Sequence, residues 1–318
     1  MQKVLTFHDH KPETLSLREA VIEGLSRNPK SIEPKFFYNE RGSELFDRIC
    51  EQPEYYLPTV EQKILLDNAD EIVSLTGPGR ILIEPGAGNA AKVRLLLDTL
   101  QPAAYVPMDI SFDYLKLAAS SLIEDYPWLR IHAACVDFTV SMPVPDITPE
   151  GPRLLFFPGS SIGNFEQDKA RRFLAMVRDT VGEDGMLLIG VDTRKDETIL
   201  NAAYNDSAGI TARFNLNLLH RFRDELEMDC DPAGFDHRAF YNGEAGRIEM
   251  HLVSRQKQTL RMNGHSFDLD CGETLHTESS YKYAPQEFLR LAASCGFNPL
   301  RHWQDEKGLF SIYLLAAS

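Results

Sequence analysis

Between about residue 80 and Asp192 the chain alternates short apolar runs with segments of helix length, and no other feature constrains its fold as tightly. The runs are Ile81-Leu82-Ile83, Ala104-Tyr105-Val106-Pro107-Met108, Ile131-His132-Ala133-Ala134, Leu154-Leu155-Phe156-Phe157 and Met186 to Val191. A strand that is apolar on both faces is covered on both faces, so these five runs predict parallel strands of a doubly wound α/β sheet. Val93, Leu96, Leu97 and Leu100 follow helical spacing within a segment from Lys92 to Leu100. Phe173, Leu174, Val177 and Val181 do the same within Lys169 to Val181, and both segments read as crossover helices packed on the sheet.

After Asp192 the alternation stops, and a longer mixed segment marks a second domain. There Arg247 to Val253 alternates polar and apolar residues. Gln258 to Met262 pairs with Ser266 to Leu269 across Asn263-Gly264, the strongest short hairpin signal, so a small antiparallel sheet is expected. The first pattern then returns as a helix from Pro285 to Cys295 and strand runs Pro299 to Trp303 and Leu309 to Leu315, which rejoin the first sheet. Residues 12–66 read as helices, one carrying Leu15, Leu17, Val21, Ile22 and Leu25 and another Leu45, Phe46 and Ile49.

Composition narrows the partners. With 33 Lys and Arg against 47 Asp and Glu the net charge is −14, which repels a phosphate backbone. No apolar run approaches the roughly 20 residues of a membrane span. The segment MQKVLTFHDHKPE does not read as a secretory signal, so a cytoplasmic protein without nucleic-acid or membrane partners is expected. The five cysteines contain no CxxC pair and read as reduced, mostly buried thiols. The histidines (His132, His220, His237, His251, His265, His276 and His302 among them) show no metal-ligand spacing, and no metal is expected.

The most informative local signal is Ile81-Leu82-Ile83-Glu84-Pro85-Gly86-Ala87-Gly88-Asn89-Ala90-Ala91-Lys92, a strand that turns through two glycines into a helix. Gly86 and Gly88 let the backbone approach a nucleoside cofactor. The turn alone also fits a dinucleotide. Glu84, however, repels a pyrophosphate and suits the cationic methionine end of S-adenosylmethionine. Asp109 closes the second run, where it can accept both ribose hydroxyls, and Asp137-Phe138 closes the third, where an acid and a ring suit adenine. One acid at each of three successive strand ends favours S-adenosylmethionine over NAD. Ligands of open parallel sheets lie beyond the carboxyl ends of the strands, so Phe157-Pro158-Gly159-Ser160-Ser161-Ile162-Gly163-Asn164 should face the reacting methyl group. Its small residues, hydroxyls and amide suit a small polar substrate.

Several further stretches carry a family resemblance: Phe37 to Phe46 (FYNERGSELF), Pro53-Glu54-Tyr55-Tyr56, Gly159 to Asn164, Ala203-Tyr204-Asn205-Asp206, Arg247-Ile248-Glu249-Met250 and Thr277-Glu278-Ser279-Ser280-Tyr281-Lys282. With the glycine loop, they make the chain resemble the histidine Nα-methyltransferases of ergothioneine biosynthesis, which form hercynine by three methyl transfers. Ala87, Asn89 and Ser161 stand where that family commonly has Ser, Ser or Thr, and Thr. The resemblance implies a Rossmann-like class I methyltransferase domain with a mostly parallel sheet and C-terminal antiparallel strands, from 60–195 and 285–318. It also implies a second, α+β substrate-binding domain from 12–59 and 196–284 that lids the first.

Position by position, the resemblance implies that Gly86, Lys92, Asp109, Asp137 and Phe138 hold the cofactor, beside Glu84 and Gly88. Asn164, Tyr204 and Tyr55 would take the substrate carboxylate, Glu278 and Ser280 the imidazole with Met250 against the ring, and Tyr38, Phe46, Gly159 and Ser161 would surround the amine. The expected partners are L-histidine and its mono- and dimethylated forms, acted on by a monomer. A methyltransferase for another amino acid such as tryptophan or tyrosine, or a non-catalytic S-adenosylmethionine-binding module, are the alternatives.

Overall fold

The computed structural model describes residues 3–10 and 16–318. Its strands are β1 (Val4–Asp9), β2 (Lys30–Ser31), β3 (Ile81–Pro85), β4 (Ala104–Asp109), β5 (Arg130–Cys135), β6 (Arg153–Phe157), β7 (Met186–Asp192), β8 (Phe235–Asn242), β9 (Arg247–Ser254), β10 (Gln258–Met262), β11 (His265–Leu269), β12 (Thr274–Tyr281), β13 (Phe297–Gln304) and β14 (Phe310–Ala317). The chain separates into two compact units. One comprises Thr59–Thr193 and Tyr283–Ser318 with the described residues of Met1–Thr14, and the other Arg194–Lys282 with the described residues of Leu15–Pro58.

The first unit is built on an eight-stranded sheet of order β1-β5-β4-β3-β6-β7-β14-β13. The six strands from β1 to β7 are parallel, whereas β14 runs antiparallel to β7 and to β13. All five expected parallel strands form, and the order reverses beside β3, which puts the glycine loop at the switch point where such sheets bind ligands. β1 is additional to the expected strands: it pairs with β5 from Val4↔Arg130 to Asp9↔Cys135 at the sheet edge, where only half-burial is demanded and no continuous apolar run appears. Helices Gln167–Val181 and Arg94–Leu100 bury the predicted apolar faces. The second begins at Arg94, two residues later than expected, so Lys92 lies in the turn before it.

In the second unit β2-β12-β9-β8 form a four-stranded sheet, and β10 pairs with β11 from Met262↔His265 outward. Asn263 and Gly264 have φ of 44° and 84°, the left-handed pair that a tight hairpin needs. Helix Leu17–Ser26 is opened by a Ser16–Glu19 capping box; the expected helical residue Leu15 lies outside the described residues. The core joins Val21 and Leu25 to Leu45, Ile49, Phe214, Leu218, Met250 and Leu252. Among the described residues no helix is long and apolar enough to cross a membrane. The cysteines are free, but only Cys135 and Cys230 are buried; Cys271 is exposed and Cys50 and Cys295 are half-buried, which corrects the expectation of mostly buried thiols.

Candidate active site

In the first unit the strand ends converge on the glycine loop. Gly86 and Gly88 adopt φ of 69° and 55°. The Gly86 and Ala87 amides donate to the Met108 carbonyl at 2.7 and 3.1 Å, which ties the loop to the end of β4. A Cβ on Gly86 would come within 3.3 Å of the Phe138 ring, a tight contact that adds to the preference for glycine set by its positive φ. Asp109 accepts from the Gly88 amide at 3.1 Å and from the Ser111 amide at 3.0 Å. Burial raises the Asp109 carboxyl above its ordinary range against the pull of those amides. Asp137, buried just beyond β5, accepts from the Thr139 amide at 3.0 Å, and Phe138 packs edge-on against Phe157 and Phe173.

Glu84 is 2% exposed and accepts a hydrogen bond from the Tyr105 hydroxyl. Burial pushes its carboxyl up to about 8 although the Tyr105 hydroxyl and the Lys92 charge oppose it, with Glu61 and Asp109 adding to the rise. One lysine among several acids is a poor cradle for a pyrophosphate and a good one for a cationic ligand. The fit is to the methionine end of S-adenosylmethionine.

After β6 the chain turns at Gly159 (φ 82°) and Ser160 (φ 58°) into a short 3-10 helix, Ser161–Asn164. The Ser160 hydroxyl accepts from the Asp192 amide at 2.9 Å, and the Ser161 hydroxyl donates to the Pro158 carbonyl at 3.2 Å. The Lys92 ammonium reaches this turn: it would lie 2.8 Å from a Cβ on Gly159. Gly159, Ser161 and Asn164 thus belong to the first unit, with the glycine loop.

The second unit gathers Tyr38, Phe46, Tyr55, Tyr204, Met250, Glu278 and Ser280. Met250 on β9 stands opposite Glu278 on β12, and Ile248 opposite Ser280. The pairing of these strands slips by one residue at Thr277, between His276↔His251 and Glu278↔Met250. Strict alternation would put Glu278 on the His276 side of the sheet; the bulge turns it to the Met250 side. Thr277 holds the slip by donating from its hydroxyl to Asn215 Oδ1 (2.8 Å) and to the Met250 carbonyl (3.0 Å). Glu278 is 8% exposed, and burial raises its carboxyl to about 7 against the Lys282 charge.

Tyr204 donates to Ser280 Oγ at 2.9 Å, and the buried Lys282 ammonium donates to Ser280 Oγ at 2.9 Å and Tyr204 Oη at 3.1 Å. Tyr55 meets the Tyr204 ring edge-on at 5.9 Å, while Tyr38, more than a third exposed, and Phe46 pack edge-to-face at 5.7 Å.

Three residues of these clusters escaped sequence reasoning. Lys282 continues the i, i+2, i+4 series begun by Glu278 and Ser280, a spacing that could have exposed it. Glu61, which contacts Lys92 and Gly159, lies outside every motif and left no such signal. Asn215 is a helical residue whose partner Thr277 is remote in sequence. The absence of metal-ligand spacing also hid a trio: ligand atoms of Glu249, His251 and His276 lie within 4.8 Å of one another on the other side of the β9–β12 pair. Glu249 is already engaged there by Arg247 (2.9 Å), Asn242 (3.0 Å) and His251 (3.0 Å). These bonds hold its carboxyl at about 2 in spite of burial.

Comparison with known proteins places the chain in a family. Residues 17–317 match the family model described as histidine-specific methyltransferase, SAM-dependent. The histidine N-alpha-methyltransferase of Mycobacterium tuberculosis is 37% identical over 308 residues, 95% of each chain, and that of Mycolicibacterium smegmatis 37% identical over 306 residues, 94% of each. A 4-dimethylallyltryptophan N-methyltransferase of Claviceps purpurea is 25% identical over 94% of each chain. With an eight-stranded sheet, a glycine loop at its switch point and a match over nearly its whole length, this chain belongs to the family of histidine-specific, S-adenosylmethionine-dependent methyltransferases.

Proposed function

We propose that the protein methylates the α-amine of L-histidine, three times in succession, to give hercynine, the first step of ergothioneine biosynthesis. The observation that carries this reading is Glu278, a buried carboxyl beside Met250, with Ser280, Tyr204 and Lys282 bonded to one another next to it. Such a group rewards an imidazole N–H and is left desolvated and unpaired when phenylalanine or leucine enters. In this reading Glu84, Gly86, Gly88, Lys92, Asp109, Asp137 and Phe138 hold the cofactor. Tyr55, Tyr204 and Asn164 take the carboxylate, Glu278 and Ser280 the imidazole with Met250 against it, and Tyr38, Phe46, Gly159 and Ser161 surround the amine.

The bound cofactor supplies an electrophilic methyl on a sulfonium. The protein must then present the amine unprotonated and in line with that methyl. Dehydration and a neighbouring positive charge both lower the amine pKa, and Tyr38 directs the lone pair. Because only the third transfer fixes a charge on nitrogen, hydroxyl and carbonyl dipoles around the amine tolerate every intermediate. A displacement of this kind calls on no metal.

The test is incubation with S-adenosylmethionine and a mixture of the common L-amino acids, read by mass spectrometry. Histidine alone should gain three methyl groups; methylation of tryptophan or tyrosine instead would overturn the substrate assignment. Glu278→Ala should lower kcat/KM for histidine at least tenfold while leaving cofactor affinity within about twofold.

A further inference from the structure

Glu61 lies on helix Leu57–Asp67, in its portion within the first unit, and is 1% exposed. Its two carboxylate oxygens are divided between two targets: Oε2 accepts from the Lys92 ammonium at 2.6 Å, and Oε1 accepts from the Gly159 amide at 2.7 Å. The sheet is carved to admit it, since a Cβ on Gly190 of β7 would come within 2.1 Å of Oε1. One buried carboxylate therefore joins the turn after the glycine loop to the turn after β6, over a strand that gives up its side chain at that point.

We propose that Glu61 is a positioning residue for methyl transfer: it fixes the Lys92 ammonium over the Gly159 turn, and so sets the site that receives the methionine end of the cofactor. This rests on the reading that the first unit binds S-adenosylmethionine through Lys92. A lysine on a four-carbon stem carries a strongly hydrated charge with many rotamers. Left to itself it would extend into water or swing between Glu84 and the ligand. A charge-assisted bond to a buried, immobile carboxylate removes that freedom before the ligand arrives. The same carboxylate keeps the local charge from becoming positive, which a sulfonium would resist.

Glu61→Gln separates the two contacts. The Gly159 N–H still needs an acceptor, so the amide oxygen stays on that side and the amide NH2 turns toward Lys92. The bond to the turn survives, while the ion pair is lost. Calorimetry on the full chain should show the Kd for S-adenosylmethionine rising about tenfold in Glu61→Gln. The KM for histidine should stay within about twofold and the melting temperature within a few degrees. Glu61→Asp should recover part of the affinity. In a Lys92→Met background, Glu61→Gln should change the Kd by no more than about twofold, because a residue that acts through Lys92 has nothing left to position.

Equal losses in the two backgrounds, an unchanged or tighter Kd, or a loss confined to thermal stability would each overturn the proposal. Failure of the unaltered protein to bind S-adenosylmethionine would instead overturn the cofactor reading on which it rests.

Discussion

On the proposed assignment of Glu84 to the methionine end of the cofactor, cofactor binding should release a proton. With its carboxyl at about 8, it is mostly protonated at neutral pH in the free protein. A cation bound beside it favours the carboxylate, so binding expels the proton. At pH 7 roughly nine-tenths of a proton should leave, and the associated cost is about 1.4 kcal/mol, or tenfold in affinity. Between pH 6 and pH 8 the Glu84 contribution should tighten binding by about fiftyfold and then level off.

The perturbation is Glu84→Gln, which keeps an oxygen for the Tyr105 hydroxyl but does not titrate. The assay is calorimetry at pH 6, 7 and 8 in buffers of different ionisation enthalpy. The α-amine of the free cofactor titrates alike in both assays, so the difference between the proteins reports Glu84 and its coupling to the bound amine. The same shift governs stability. A carboxyl raised from 4.5 to about 8 on folding holds its proton in the folded state through that window. Its contribution is therefore fully present below pH 4.5, is lost as pH rises toward 8, and amounts to at most on the order of 5 kcal/mol. Relative to the unaltered protein, Glu84→Gln should thus gain melting temperature steadily from pH 5 to pH 8 without ligand, and should lose affinity for the cofactor. Identical proton counts and parallel affinity profiles in the two proteins would refute the reasoning.

Asp109→Ala should raise the Kd for S-adenosylmethionine at least tenfold, while the loss of its bonds to Gly88 and Ser111 costs only about 1–2 kcal/mol of stability. Unchanged cofactor affinity by calorimetry would remove Asp109 from the site. Thr277→Val keeps the shape of the β12 bulge residue but removes its hydroxyl bonds to Asn215 and Met250, so the KM for histidine should rise several-fold with cofactor affinity unchanged. A KM equal to that of the unaltered protein would mean that the slip in register holds without the hydroxyl.

The sheet of the first unit was legible because β3 to β7 are packed on both faces, which leaves continuous apolar runs. β1 escaped because an edge strand with half-buried positions needs no such run. The acids Glu84, Asp109 and Asp137 were legible since each follows or closes a readable strand. Glu61 comes from a helix, and nothing local distinguishes it from a solvent-facing glutamate. Glu278 was singled out by its motif, but neither its strand nor its face was legible: strict alternation points it away from Met250, and only the bulge at Thr277 reverses that. The pairing of His251 with His276 was hidden for a related reason, because cross-strand neighbours share no interval in sequence.

The position of β14 between β7 and β13 matters for biosynthesis. β7 leaves the ribosome with one edge already matched by β6, yet its other partner is made about 120 residues later, a delay of roughly 6–24 s at ordinary elongation rates. For that interval an apolar strand offers a row of open amides and carbonyls to any neighbouring nascent chain. The portion Arg194–Lys282 of the second unit is translated during the wait. Rapid elongation through residues 194–282, or a chaperone that covers the β7 edge, should therefore govern the yield of folded protein more than the stability of the finished sheet does.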